Sequence, residues 1–138
     1  MTYYFAYGMN TNLYEMQHRC PNAENMGVAY LDDHKMVFKY HADMIKTPGH
    51  TAPGVLWKIT DRCLESLDML EGFPVYYNRR TVKIQTESGE VVDALMYYMV
   101  DEQEFCEPST GYYYMLSEGY NSHKISLKYL KSAYPAVA

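Results

Sequence analysis

The stretch Arg80-Thr81-Val82-Lys83-Ile84-Gln85 alternates side chains with the two-residue period of a strand, and it constrains the fold more than any other stretch. Ser88-Gly89 then offers a turn, and residues 90–100 follow as a second β-favouring run. Two strands joined by so short a turn lie antiparallel. Four further stretches read as strands: 2–7, which is short and aromatic, 27–31, 35–41, and 53–59. Asp32-Asp33-His34 reads as the joint between the second and third of these. Residues 43–53 are polar and hold Pro48-Gly49 and Pro53, so they read as a loop.

Helical patterns are fewer. Asn10, Thr11 and Asn12 can each begin the short helix expected over Leu13–Arg19, which Pro21-Asn22 stops. A second helix is expected after Thr60-Asp61 and ends at Gly72. Two more are expected over 111–118 and 126–132, divided by residues 119–122. Strands outnumber helices and the hairpins are local, so the expectation is one α+β domain over residues 1–138. With many short strands and few polar edges, the sheet is expected to close into a small mixed, mostly antiparallel β-barrel with flanking helices.

A net charge of −5, with no basic run, argues against nucleic acid as a partner. The apolar runs fall short of a membrane span, so no membrane partner is expected. Met1-Thr2-Tyr3-Tyr4-Phe5 lacks the pattern of a signal peptide, so the expected location is cytoplasmic. Cys20, Cys63 and Cys106 are widely separated and odd in number, which argues against a disulfide framework. Sixteen tyrosines and ten methionines read as core and pocket lining rather than as a cofactor box.

Glu71 is the most informative single residue. It follows Leu67 by four positions and Leu64 by seven, so helical spacing sets its carboxylate on their apolar face. It also stands at the helix C-terminus, where a negative charge is unfavourable. Both circumstances raise a carboxyl pKa, the adjustment that a general base near neutral pH requires. The alternative is a solvated glutamate at a frayed helix end. The loop Tyr7-Gly8-Met9-Asn10, at a strand end and before a helix start, offers main-chain N–H groups to an anion or an oxyanion. Zincin, P-loop, nucleophile-elbow and dinucleotide motifs are absent. His18, His34, His41, His50 and His123 show no metal-ligand spacing and read as surface or structural residues. Nothing in the spacing fixes a Cys–His dyad on Cys20 or Cys106. The acidic cluster Asp101-Glu102-Glu104-Glu107 reads as a solvated loop.

Several segments, in order, resemble the γ-glutamylcyclotransferase family. Tyr7-Gly8-Met9-Asn10 is similar to its Y-G-S-N opening, and Arg19-Cys20-Pro21-x-Ala23 to its next segment. Gly54-Val55-Leu56-Trp57 is similar to its G-V-L-W strand. Leu67-Asp68-x-x-Glu71-Gly72 followed by Tyr77-x-Arg79 is similar to its catalytic segment. Pro108-Ser109-x-x-Tyr112, with Gly119 a helix later, is similar to its C-terminal segment.

The resemblance implies a small barrel with flanking helices that needs no cofactor. It implies that the α-amino group of a γ-glutamyl amide attacks its own γ-carbonyl, releasing 5-oxoproline and an amine. On that resemblance Glu71 is the catalytic acid/base, Tyr7, Gly8, Met9 and Asn10 hold the glutamyl head, and Tyr112 gives a hydrogen bond. Tyr112 reads alternatively as one more packed aromatic. Met9 replaces the family serine, so any role of a hydroxyl there is lost. A non-catalytic small-molecule binding or regulatory module on the same scaffold is the competing reading. Residues 43–53 and 73–78 are expected to shape specificity, and the oligomeric state stays open between monomer and homodimer.

Overall fold

A computed structural model describes residues 2–101 and 103–133. Five strands form a closed barrel in the order β1-β3-β2-β4-β5. They are β1 (Thr2–Ala6), β2 (Glu24–Lys39), β3 (His41–Ile59), β4 (Tyr77–Thr86) and β5 (Val91–Met99). All neighbours run antiparallel except β1 and β5, whose parallel bridge at Tyr4 and Leu95 closes the barrel. The alternation in β4 is realised as expected. Val82 and Ile84 are buried while Thr81, Lys83 and Gln85 face water. Gly54, in β3, is required by the close approach of β1, because a Cβ there would lie 2.5 Å from the Ala6 carbonyl oxygen.

The largest departure from expectation is a hairpin. The joint expected at residues 32–34 and the loop expected at 43–53 are both strand. The turn between β2 and β3 falls instead at Tyr40, whose φ of 70° lets Lys39 and His41 pair directly. Asp33 and Gly49 take up a register shift in the middle of the hairpin, with positive φ and a bond from Gly49 N to Asp33 Oδ1 of 3.0 Å. The Pro and Gly signals therefore mark an irregularity inside a long ladder. Asp43 lies buried within this hairpin, where it accepts from Met99 N at 2.9 Å and pairs with Lys39 at 2.8 Å.

Helix α1 (Leu13–Arg19) is capped by the Asn12 side chain, and α2 (Asp61–Glu71) by Thr60 Oγ1, which accepts from Cys63 N at 3.1 Å. Such a cap is worth about 1 kcal/mol. Gly72 ends α2 in the left-handed conformation at φ 66°. Helix α3 (Thr110–Ser122) runs through Gly119 instead of stopping before it, and α4 (Lys128–Lys131) is shorter than expected. At Gly119 the helix lies so close to the turn after β1 that a Cβ would overlap the Thr11 side chain and the Asn12 main chain.

The barrel interior and the helices share one core, in which Phe5, Phe38, Ile59, Leu67, Ile84, Leu116 and Tyr120 are fully buried. Each such side chain contributes about 1.5–3 kcal/mol of burial. Contrary to expectation, Cys20 and Cys63 form a disulfide that links the end of α1 to the first turn of α2, with Cα atoms 5.2 Å apart. The spacing of 43 residues could not announce this, because the pairing follows from how α1 and α2 pack. It also removes Cys20 from any thiol chemistry. No helix among the described residues is long and apolar enough to cross a membrane.

Candidate functional site

The turn after β1 and the end of α2 meet at one cavity of about 260 Å³. Its wall includes Tyr7, Gly8, Met9 and Asn10 from the turn, Glu71 from α2, and Tyr112 from α3. All six residues singled out in the sequence are thus brought together. Arg19, His41, Ala42, Leu70, Tyr4, Tyr76, Tyr77 and Tyr97 complete most of the lining.

The turn is held rigidly from behind. Residues Met9–Thr11 form a single 3-10 turn in which Thr11 N donates to the Gly8 carbonyl at 3.1 Å. Trp57 Nε1 donates to the Asn10 carbonyl at 3.0 Å, and Tyr120 Oη donates to the Tyr7 carbonyl at 2.9 Å. The N–H groups of Gly8, Met9 and Asn10 have no acceptor among the described residues. Such orphan donors are the expected state of a helix start. The Asn10 side chain is engaged at both ends, since Arg19 Nη1 donates to its Oδ1 at 2.7 Å and its Nδ2 donates to Tyr4 Oη at 2.9 Å. A guanidinium can only donate, so this pair fixes which end of the amide is which.

Glu71 accepts no hydrogen bond and forms no ion pair among the described residues. Burial pushes its carboxyl pKa up to about 7, against a downward pull from Arg19. Leu67 is fully buried and Leu64 partly so, as the helical spacing requires. Three residues earlier the Asp68 carboxyl behaves oppositely. Burial would raise it, but hydrogen bonds from Arg79 and Tyr97 prevail and hold it below the usual carboxylate range.

Five of the six lining phenols divide into two groups. Those of Tyr7, Tyr77 and Tyr97 donate inward, to the Tyr97 carbonyl, the Ala42 carbonyl and Asp68 respectively. Those of Tyr4 and Tyr112 accept, from Asn10 Nδ2 and from Ala42 N at 3.0 Å, so their own hydrogens stay available to the cavity. Burial raises both of these phenols, so they remain protonated donors. Tyr112 lies beside the loop, 3.4 Å from where a Cβ on Gly8 would stand.

His41, read from sequence as a surface or structural histidine, lies in the wall. Its Nδ1 is 3.0 Å from Tyr76 Oη and burial lowers its pKa. Arg19 is the one Lys or Arg side chain among the described lining residues. It stands in a segment the sequence had matched, but nothing in that segment said where its side chain points. Residues 73–78 contribute Tyr76 and Tyr77 to the wall, whereas 43–53 contribute nothing to it. That second stretch was expected to shape this pocket, and it is carried away along the long β2–β3 hairpin instead.

A family model described as gamma-glutamyl cyclotransferase, AIG2-like, matches residues 4–122. The chain is 31% identical to gamma-glutamylcyclotransferase of Homo sapiens, over 91% of this chain and 73% of that protein. It is 30% identical to gamma-glutamylcyclotransferase of Bos taurus, over 93% of this chain and 74% of that one. A solved gamma-glutamyl cyclotransferase structure superposes with a TM-score of 0.86 at 29% identity, covering 96% of this chain and 85% of the other. By sequence and by fold, the chain belongs to the gamma-glutamyl cyclotransferase, AIG2-like family.

Proposed function

We propose that the protein is a γ-glutamylcyclotransferase that converts a γ-glutamyl amide into 5-oxoproline and a free amine. The Glu71 carboxylate takes one proton from the substrate α-ammonium. The freed lone pair adds to the γ-carbonyl carbon, and the oxygen takes the negative charge. As the tetrahedral centre collapses, the bond to the leaving nitrogen breaks. Glu71 hands the proton it took to that leaving nitrogen, which departs as a neutral amine, then takes the second proton from the attacking nitrogen and gives it up to solvent before the next turnover. The nucleophile is intramolecular, so the enzyme needs only to fold the glutamyl chain into an attacking geometry, move protons and accept the oxyanion.

The N–H groups of Gly8, Met9 and Asn10, with the hydroxyl of Tyr112, serve as donors to the glutamyl head and to the oxyanion. Tyr7 holds the start of that loop. Arg19 and Glu71 present opposite charges across one cavity, which suits the carboxylate and ammonium of an amino-acid head. The observation that carries this reading is an unpaired carboxyl lining one cavity with a row of uncommitted N–H donors.

The test is incubation with γ-glutamyl-alanine, γ-glutamyl-lysine and glutathione, assayed for 5-oxoproline, with Glu71→Gln alongside. Release by the wild type and none by the variant, with substrate still bound, supports the acid/base role. Loss of binding together with turnover would mean that Glu71 chiefly anchors the ammonium. Met9, in the wall where the family has serine, favours a second reading, a binding module that has lost turnover. That reading predicts saturable binding with no product, and turnover appearing in Met9→Ser.

A further inference from the structure

The last turn of α2 carries two acids, and only one of them is paired. Asp68 accepts from Arg79 Nε at 2.9 Å and Nη2 at 3.1 Å, a two-pronged contact, and from Tyr97 Oη at 2.6 Å. Its main-chain carbonyl accepts from Phe73 N at 2.9 Å, closing the helix just beyond Glu71. The Arg79 guanidinium lies over the Phe73 ring at 4.3 Å, so the segment is clamped on both sides of Glu71.

The same contacts reach the opposite wall. Tyr97 donates to Asp68, and the Tyr97 carbonyl accepts from Tyr7 Oη at 2.7 Å. Tyr7 begins the loop, and its carbonyl is held by Tyr120. One unbroken hydrogen-bonded path therefore joins the loop to the turn of α2 that bears Glu71, through a single residue of β5.

We propose that Asp68 and Tyr97 are positioning residues, which set the separation between Glu71 and the Tyr7–Asn10 loop and keep Arg79 away from Glu71. This rests on the cyclotransferase reading above. Apolar packing could hold a helix end as well, without the desolvation cost of an ion pair beside a negative helix terminus. What apolar packing could not do is occupy a nearby guanidinium. A free Arg79 would be a second cation on the strand packed against that helix end, and pairing with Glu71 would spoil it as a base. The opposite displacement of the two carboxyls fits this division, with Asp68 held low and Glu71 raised. Apart from Arg19, the titratable groups whose charge interacts with Glu71 are phenols from β1, the loop, the turn before β4, β4, β5 and α3.

Tyr97→Phe keeps the ring and deletes only the hydroxyl, so it is the primary test, with Asp68→Asn second. Lys83→Ala, which removes an exposed pair on the same hairpin, is the control. Two readouts are taken: kcat and KM on a turned-over γ-glutamyl amide, and the carbon-13 titration of the Glu71 carboxyl. Tyr97→Phe is expected to lower kcat about 10-fold with KM changed less than about 3-fold, and Asp68→Asn about 100-fold. The double variant is expected to lose less than the product of the two. In both single variants the Glu71 midpoint moves down, as water or Arg79 reaches the carboxylate.

Wild-type kcat in Tyr97→Phe, alongside a dead Glu71→Gln, would overturn the positioning role and leave the cyclotransferase reading intact. A wild type that forms no product would overturn the cyclotransferase reading, and the Glu71 titration would then decide the structural half alone. An unmoved midpoint in both variants overturns it, and a lowered one supports it.

Discussion

Two hollows of nearly equal size open on this barrel, of about 260 and 250 Å³, and they differ in what lines them. The first joins an unpaired acid, an arginine, several phenols and a row of uncommitted N–H groups. The second, between the middle of the β2–β3 hairpin and α4, is lined by His34, Lys35, His50 and Lys128, with no carboxylate among its described lining residues. Its one buried histidine is already satisfied, with Arg80 Nη2 donating to Nε2 at 2.7 Å and Nδ1 meeting the Asp32 carbonyl at 2.8 Å. Volume does not distinguish the two. The Glu71 carboxyl and the loop N–H groups, held apart from ordinary partners, do, because such groups keep free energy that a substrate can release.

Exchanging one group in each hollow is expected to give the largest contrast. Glu71→Gln is expected to lower kcat by about 10²–10⁴-fold, the range for a general acid/base, while Lys128→Ala in the second hollow leaves kcat unchanged. Equal losses in a 5-oxoproline assay would erase the distinction.

The second test is structural. Gly119→Ala drives a Cβ into Thr11 and Asn12 and is expected to cost about 1–3 kcal/mol with a loss of activity. Ser132→Ala, at the edge of the second hollow, is expected to stay within about 0.5 kcal/mol in denaturant unfolding.

A third test uses pH. The folded-state pKa of Glu71, about 7, lies above the ordinary 4.5, so between those values the folded protein binds more protons than the unfolded chain. Stability is therefore lost as pH rises through that window. Glu71→Gln is expected to be more stable than wild type by about 1–3 kcal/mol at pH 8, with the gain fading toward pH 4.5. A pH-independent difference would show that burial does not raise this carboxyl. On the proposed mechanism, kcat/KM of the wild type also rises with pH through about 7.

A small effect is also expected at Lys83→Ala. Its pair with Asp93 is 77% and 63% exposed, against 27% and 20% for Arg79 and Asp68 on the same strand and its neighbouring helix. An exposed pair is worth about 0–1 kcal/mol, so its removal moves the unfolding midpoint little.

The sequence alone determined those features that neighbouring residues impose on one another. The bounds of α1 and α2 follow from Asn12, Thr60 and Gly72, each acting within a turn of its own position. The β4–β5 hairpin follows from alternation and Ser88-Gly89, and the inward face of α2 from the spacing of Leu64, Leu67 and Glu71. Tertiary structure decided what depends on distant partners. Pro48 and Gly49 look like loop residues, yet β2 supplies enough pairing to keep residues 41–59 one strand around a bulge. Gly119 looks like a helix stop, yet Thr11 and Asn12 need its missing side chain for α3 to lie against them. Cys20 and Cys63 meet because α1 packs on α2. Arg19, His41 and Tyr97 enter the cavity from three separate elements, and no local pattern announces that. Glu71 shows both halves at once, since helical spacing turned it inward, but only the surrounding walls could remove the water that would otherwise keep its pKa ordinary.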